Sequence, residues 1–291
     1  MRPASPTDGT PLDMDFWQAI ILGIVEGITE FLPVSSTGHL TIAESLLGLQ
    51  VDSPAVTAFT AIIQVGAIAA AIIYFWRDIV VIVTAFVRGV FNAPARQTPE
   101  WRLSLAVVVG CIPIAVVGLA AKPLIEGPLR SLWAVVVGLL VWSAVMVFAE
   151  RAATQQRSER DVTLIDGVII GAVQCFALVP GVSRSGATIS AGLLRDLDRV
   201  TATRLSFLLG IPALTAAGLL EAVSARDDIA TTVGWGPTAL ATVVSFGVAY
   251  ASIAWLLRYV AHHSILVFVW YRLIAGGLLL AALAVGWVSA T

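Results

Sequence analysis

The chain has 291 residues, of which 58% are hydrophobic and 12% charged, with a formal net charge of −2. Its mean hydropathy is +0.91. Soluble domains carry about 25% charged residues, so the composition excludes a soluble globular protein and defines a polytopic membrane protein. The charge balance leaves no basic footprint for nucleic acid, and Cys111 and Cys175 sit in apolar runs and read as small buried hydrophobes.

Residues 1–15 are polar, carry Asp8, Asp13 and Asp15, and lack the basic n-region of a cleavable signal. They are expected to be a disordered tail before a single membrane domain over 16–291. A simple span needs about 20 apolar residues. Six segments qualify, at approximately 55–75, 103–121, 131–149, 202–222, 236–257 and 265–288. Residues 78–102, bounded by Arg77 and Arg102, read as an interfacial helix and a loop.

Two further apolar stretches are broken. Pro33 and Ser35-Ser36-Thr37-Gly38 interrupt 16–49; Pro180-Gly181 and Ser183-Arg184-Ser185-Gly186 interrupt 164–194. Irregular backbone at membrane depth is tolerated only inside protein or beside water, so two re-entrant helical hairpins are expected. The broken stretches also align with each other. At one offset of 148 residues, Gly23 and Glu26 fall on Gly171 and Gln174, and Ser35 to Gly38 fall on Ser183 to Gly186. Three spans follow each copy, so the second is inverted. The expected fold is therefore all-α, with about six transmembrane helices and two re-entrant hairpins in an inverted-topology repeat, halves about 16–149 and 164–288. Inverted repeats with discontinuous helices build binding sites near the midplane. The loops at 76–102, 150–163 and 195–204 hold most of the arginines, which places them in the cytoplasm and both termini outside.

The chemistry concentrates at the breaks. An ionisable group inside a membrane costs roughly 2.5–3.5 kcal/mol on insertion scales, so it points to function. Glu26 and Glu30 are spaced i, i+4 and share a helix face. Two such carboxylates suit a general base or acid, or an oxygen-ligand site for Mg²⁺ or Ca²⁺ completed by phosphate oxygens. Ser35, Ser36 and Thr37 open the next short helix, where backbone N–H groups and hydroxyls bind anions. One of them is a candidate N-cap, and a serine beside a base is a candidate nucleophile. His39 lies one turn further on. Arg184 stands in a run of hydroxyls and small residues, Ser183, Ser185, Gly186 and Thr188, suited to holding phosphate bidentately. Gln64 and Gln174 either bond between helices or line the site. The guest that fits is a phosphate or diphosphate on an apolar tail.

Glu26-Gly-Ile-Thr-Glu-Phe-Leu-Pro-Val-Ser-Ser-Thr-Gly-His39 and Pro180-Gly-Val-Ser-Arg-Ser-Gly-Ala-Thr-Ile-Ser190 closely resemble the two signatures of the undecaprenyl-diphosphate phosphatase, or bacitracin-resistance, family. The resemblance extends over essentially the whole chain, including Ser206-Phe-Leu-Leu-Gly-Ile-Pro212. One departure is Val179, where the family often has Trp. The resemblance implies a bacterial inner-membrane hydrolase that converts undecaprenyl diphosphate to undecaprenyl phosphate and inorganic phosphate. That step recycles the lipid carrier for peptidoglycan and confers resistance to bacitracin, which competes for the same lipid. It also implies a homodimer, a divalent cation, a site facing outside, and essential roles at Glu26, Glu30, Ser36, His39 and Arg184.

In the mechanism expected from this, Arg184 and the second turn hold the diphosphate and a divalent ion on Glu26 or Glu30 offsets its charge. Ser36 attacks with Glu30 as base, and His39 is general acid or positioning group. Water activated by Glu30 is the competing nucleophile. A transporter or flippase of polyprenyl phosphate lipids is the alternative class.

Overall fold

Proline and small polar residues set where the helices begin. Thr98 accepts the Trp101 N–H at the start of one long helix, with Pro99 in its first turn, and Ser131 accepts the Ala134 N–H at the start of the next. Such caps satisfy donors that a helix start leaves unpaired. A computed structural model describes residues 14–49, 53–121, 123–124, 129, 131–224 and 234–288. Among them are eleven α-helices and no strand: α1 (Phe16–Thr29), α2 (Ser36–Leu46), α3 (Pro54–Tyr74), α4 (Trp76–Phe91), α5 (Pro99–Ala120), α6 (Leu132–Ala152), α7 (Leu164–Gln174), α8 (Arg184–Leu194), α9 (Arg199–Ser224), α10 (Trp235–Val260) and α11 (Leu266–Ala284).

Six of these, α3, α5, α6, α9, α10 and α11, are long and apolar enough to cross a membrane. They show large apolar side chains at the surface, among them Val116, Val141, Phe148, Val243, Ile274 and Leu278. A water-soluble protein avoids so broad an apolar surface; a bilayer matches it. The sixteen-residue α4 stands apart from the six, and Phe86 stacks on Trp101 of α5 with ring centroids 5.7 Å apart. Residues 1–13 of the expected tail lie outside the described residues. Met14 is buried and the Asp15 N–H donates to Gln18 Oε1, so these two residues pack with the helices that follow.

The two broken stretches form matched pairs of short helices. α1 has 14 residues and α2, α7 and α8 have 11 each. At 1.5 Å per residue these are about 16–21 Å long, against a hydrocarbon core of about 30 Å. The match is close in register: α2 and α8 begin and end 148 residues apart. The caps match too. Asp15 and Thr163, at the same offset, each give their backbone N–H to the side chain three residues on.

The first short helix of each pair packs on a span from the other half. α1 crosses α10 at Gly23, where a Cβ would lie 2.6 Å from the Ala241 carbonyl oxygen. α7 crosses α5 at Gly171, where a Cβ would lie 2.1 Å from the Gly110 carbonyl oxygen. Small residues at membrane crossings let backbones approach this closely.

The three Arg-rich segments meet at one end of the protein. Arg204 binds Asp78 at 2.5 Å and Glu159 at 2.8 Å, Arg199 binds Glu150, and Arg102 donates to the Arg160 carbonyl. Arg157 and Arg195 both bind Asp166, a buried carboxylate in the first turn of α7. In the loop after α8, Asp196 accepts from the hydroxyl and the amide of Thr154, which hold its carboxyl below the usual carboxylate range.

Candidate functional site

The connections α1–α2 and α7–α8 touch at their bends, deep in the protein. Hydrogen bonds join them at three places. The Gly181 N–H donates to Ser35 Oγ at 3.2 Å, Ser185 Oγ donates to the Leu32 carbonyl at 3.0 Å, and Arg184 reaches Glu30. Ser35 and Ser183, the residues preceding α2 and α8, both have positive φ, at 79° and 73°.

Glu30 is the hub. Its Oε2 accepts Ser36 Oγ at 2.8 Å and Gln64 Nε2 at 3.4 Å; its Oε1 accepts Arg184 Nη2 at 3.3 Å. A hydroxyl donating to a carboxylate at that distance is the geometry of a nucleophile beside its base. The guanidinium also reaches the Ser206 carbonyl at 3.2 Å and lies 6.0 Å from the centroid of the Phe31 ring. Its Nε has no partner among the described residues. Gly210 makes room for it: a Cβ there would lie 2.0 Å from Nη1.

Glu26 is fully buried one turn before Glu30, and neither carboxylate oxygen has a partner among the described residues. Gln174, at the matching position of the second pair, is also buried with both amide atoms unpartnered. Leaving buried polar groups unpaired costs about 1–3 kcal/mol each, and more for charged ones.

His39 lies three residues after Ser36 on α2, and its ring turns to other partners. Its Nδ1 lies 2.8 Å from the Ser35 carbonyl, which only accepts, so Nδ1 carries the proton. In the neutral ring Nε2 then accepts from the Tyr271 hydroxyl at 2.7 Å, and the two rings stack. His39 has no hydrogen bond to Ser36 or Glu30 among the described residues. Tyr271, on α11, went unmarked in the sequence because one tyrosine in an apolar span carries no signal.

The hydroxyls of the second turn are inward-looking. Ser183 Oγ accepts the Gly186 N–H, Ser185 binds Leu32, and Thr188 Oγ1 donates to the Arg184 carbonyl and lies 2.6 Å from Ser206 Oγ. Thr37 is exposed at the start of α2. The α2 start differs from the α8 start in one respect. Ser35 makes no side-chain cap, because its hydroxyl serves Gly181 instead. The first N–H groups of α2 are therefore left without a side-chain cap from Ser35.

Among the described residues no group of three or more His, Cys, Asp or Glu side chains forms a metal cluster. The donors nonetheless fit a hard cation that takes the rest of its shell from phosphate and water. Among the described residues both Glu26 oxygens lack a partner, while both Glu30 oxygens are engaged by Arg184, Ser36 and Gln64.

Fold and site together define a polytopic membrane protein in which two carboxylates and a guanidinium are gathered where two pairs of short helices meet. Residues 19–278 match the family described as bacitracin resistance protein BacA. The chain is 56% identical over 278 residues to undecaprenyl-diphosphatase 3 of Frankia casuarinae, covering 96% of this chain and all of that one. It is 56% identical over 273 residues to an undecaprenyl-diphosphatase of Acidothermus cellulolyticus, covering 94% and 98%. A third relative, an undecaprenyl-diphosphatase of Cutibacterium acnes, is 55% identical over 270 residues, covering 90% and 95%. The chain belongs to the bacitracin resistance protein BacA family.

Proposed function

We propose that this chain hydrolyses undecaprenyl diphosphate to undecaprenyl phosphate and inorganic phosphate, and does so where its two broken helices meet. The activity follows from the family and from full-length relatives named for it. It regenerates the lipid carrier used in cell-wall synthesis and underlies resistance to bacitracin. The observation that carries the site assignment is Ser36 Oγ donating to Glu30 Oε2 at 2.8 Å, with Arg184 on the other carboxylate oxygen.

Arg184 exchanges its contact with Glu30 for the diphosphate, which it holds bidentately. That frees Glu30 to act as base. Ser36 passes its proton to Glu30 as Oγ bonds to the terminal phosphorus. The bond from that phosphorus to the bridging oxygen breaks, and undecaprenyl phosphate leaves. Water then cleaves the phosphoserine, releasing inorganic phosphate. Attack by water on the same carboxylate is the competing route, and phosphoserine trapped by rapid quench decides between them.

The N–H groups at the start of α2, with Ser35 and Thr37, add donors for the phosphate oxygens. Ser183, Ser185, Gly186 and Thr188 shape the turn that presents Arg184, and Gln64 steadies Glu30. Gln174 lines the same interior. A divalent cation at Glu26, when bound, supplies charge neutralisation of the diphosphate. His39, held by Tyr271, sets the backbone at Ser35.

The Arg-rich end lies in the cytoplasm by the charge rule, which opens the site to the outer leaflet. Both short helix pairs are then re-entrant and the halves inverted. The enzyme works as a homodimer, and bacitracin competes with it for the lipid. Phosphate release by purified protein in detergent, with and without EDTA, tests the reading. Wild type releases phosphate, and EDTA suppresses it until Mg²⁺ or Ca²⁺ is restored. Glu30→Ala releases almost none. A protein that only moved lipid would release none in any of these.

A further inference from the structure

The largest fully buried side chain among the described residues is Arg272, within the apolar span α11. No carboxylate pairs with it among the described residues. Its Nε donates to Ser143 Oγ at 3.2 Å and its Nη1 to the Pro33 carbonyl at 3.2 Å. Its Nη2 serves three carbonyls, those of Gly138 at 3.1 Å, Leu139 at 3.3 Å and Gly181 at 2.9 Å. Pro33 belongs to the first bend and Gly181 to the second. The Gly181 N–H in turn binds Ser35, two residues after Pro33. Arg272, Gly181 and the 33–35 segment thus close a ring of contacts behind the site.

Two consequences follow from the chemistry of a guanidinium. Its planar fork of five donors reaches acceptors on several sides at once, which an ammonium or a carboxamide does not. Carbonyl dipoles also stabilise the positive charge without cancelling it, so its field persists in a low-dielectric interior. With Glu26, Glu30 and Arg184 alone, the ionised site carries one net negative charge. Arg272 brings that to zero before any ligand enters.

We infer that Arg272 is a positioning residue of the diphosphate site. It clamps the bend that carries Ser36 to the bend that carries Arg184, and its unpaired charge offsets the two glutamates toward an anionic ligand. The inference rests on the site assignment above, and the test separates the two.

Arg272→Lys, Arg272→Gln, Ser143→Ala and Arg184→Ala are compared with wild type in detergent. The readouts are kcat and KM for the lipid diphosphate, inhibition by inorganic diphosphate, and thermal unfolding. Arg272→Lys keeps the charge and loses the fork: kcat falls at least tenfold while inorganic diphosphate inhibits within threefold of wild type. Arg272→Gln loses both, and the inhibitor weakens at least tenfold as well. Ser143→Ala, the gentlest change, lowers kcat severalfold with KM kept, and it carries the test if the Arg272 variants do not fold. A lysine or Ser143→Ala variant with wild-type kcat overturns the clamp. A folded glutamine variant inhibited like wild type overturns the charge role. Lower melting with normal turnover per folded molecule reduces Arg272 to a structural brace. An active Arg184→Ala protein instead removes the site assignment itself.

Discussion

In the first helix pair Ser35 turns its hydroxyl away from its own helix and accepts the Gly181 N–H; in the second, Ser183 caps Gly186 at home. The same contrast runs through both pairs. Glu26 stands where the second copy has Gln174, and Ser36 where it has Arg184. In α2 only Gly38, Leu40 and Glu44 are buried, whereas in α8 every residue from Ser185 to Leu193 is. The second pair is further fastened at its base by Arg157 and Arg195 on Asp166. One copy of the motif holds the exchangeable protons and the open helix start. The other is a packed frame that delivers one cation. Neither copy alone has both the carboxylate beside a hydroxyl and the guanidinium that meets it.

The comparison breaks first at Arg184. Replacing it with alanine is expected to lower kcat about 1,000-fold or more, the scale of an arginine that stabilises phosphoryl transfer, in a phosphate-release assay. Ser36→Ala is next, at roughly 100-fold or more from loss of the group beside the base. Its counterpart Ser183→Ala loses a helix cap, about 1 kcal/mol. That should appear as a lower melting temperature with less than a tenfold change in turnover. Equal activity losses in the two serine variants would erase the distinction between the copies.

Packing separates them more gently. Gly171→Ala forces a methyl against the Gly110 carbonyl and is expected to cost about 1–3 kcal/mol of stability. Gly23→Ala should cost less, since its Cβ would lie 2.6 Å rather than 2.1 Å from the facing oxygen. Thermal unfolding in one detergent ranks the two. The smallest effect belongs to Asp196. Its carboxyl is held below the ordinary value by Thr154, so its contribution is fully present above about pH 4. That contribution is lost as the pH falls through the folded-state value. Melting measured from pH 7 downward should show this loss in wild type and not in Asp196→Asn.

Much of this was legible in the chain because membranes make sequence patterns literal. Six apolar runs became six candidate spans, and the Pro, Gly and Ser breaks fell where the short helices end. The acids, Ser36 and Arg184 stood out because charge inside an apolar run is rare. Arg272 obeys the same rule but lacks any neighbouring motif, and apart from the Ser143 hydroxyl its partners are backbone carbonyls from three distant segments. A carbonyl has no letter in a sequence. Tyr271 beside His39 was invisible for a related reason, because a pair 232 residues apart is made only by packing α11 against α2. The hydrogen bonds of Ser183, Ser185 and Thr188 were also out of reach, since a hydroxyl's partner is not spelled in the sequence.

Ser35 and Ser183 hold backbone angles, φ 79° with ψ 99° and φ 73° with ψ 121°, that suit glycine better than serine. Left-handed backbone costs an ordinary residue roughly 1–2 kcal/mol. At these two places robustness and turnover pull in opposite directions. A search for heat-resistant variants should drift toward glycine there, and at residue 35 it would discard the hydroxyl that couples one half of the protein to the other.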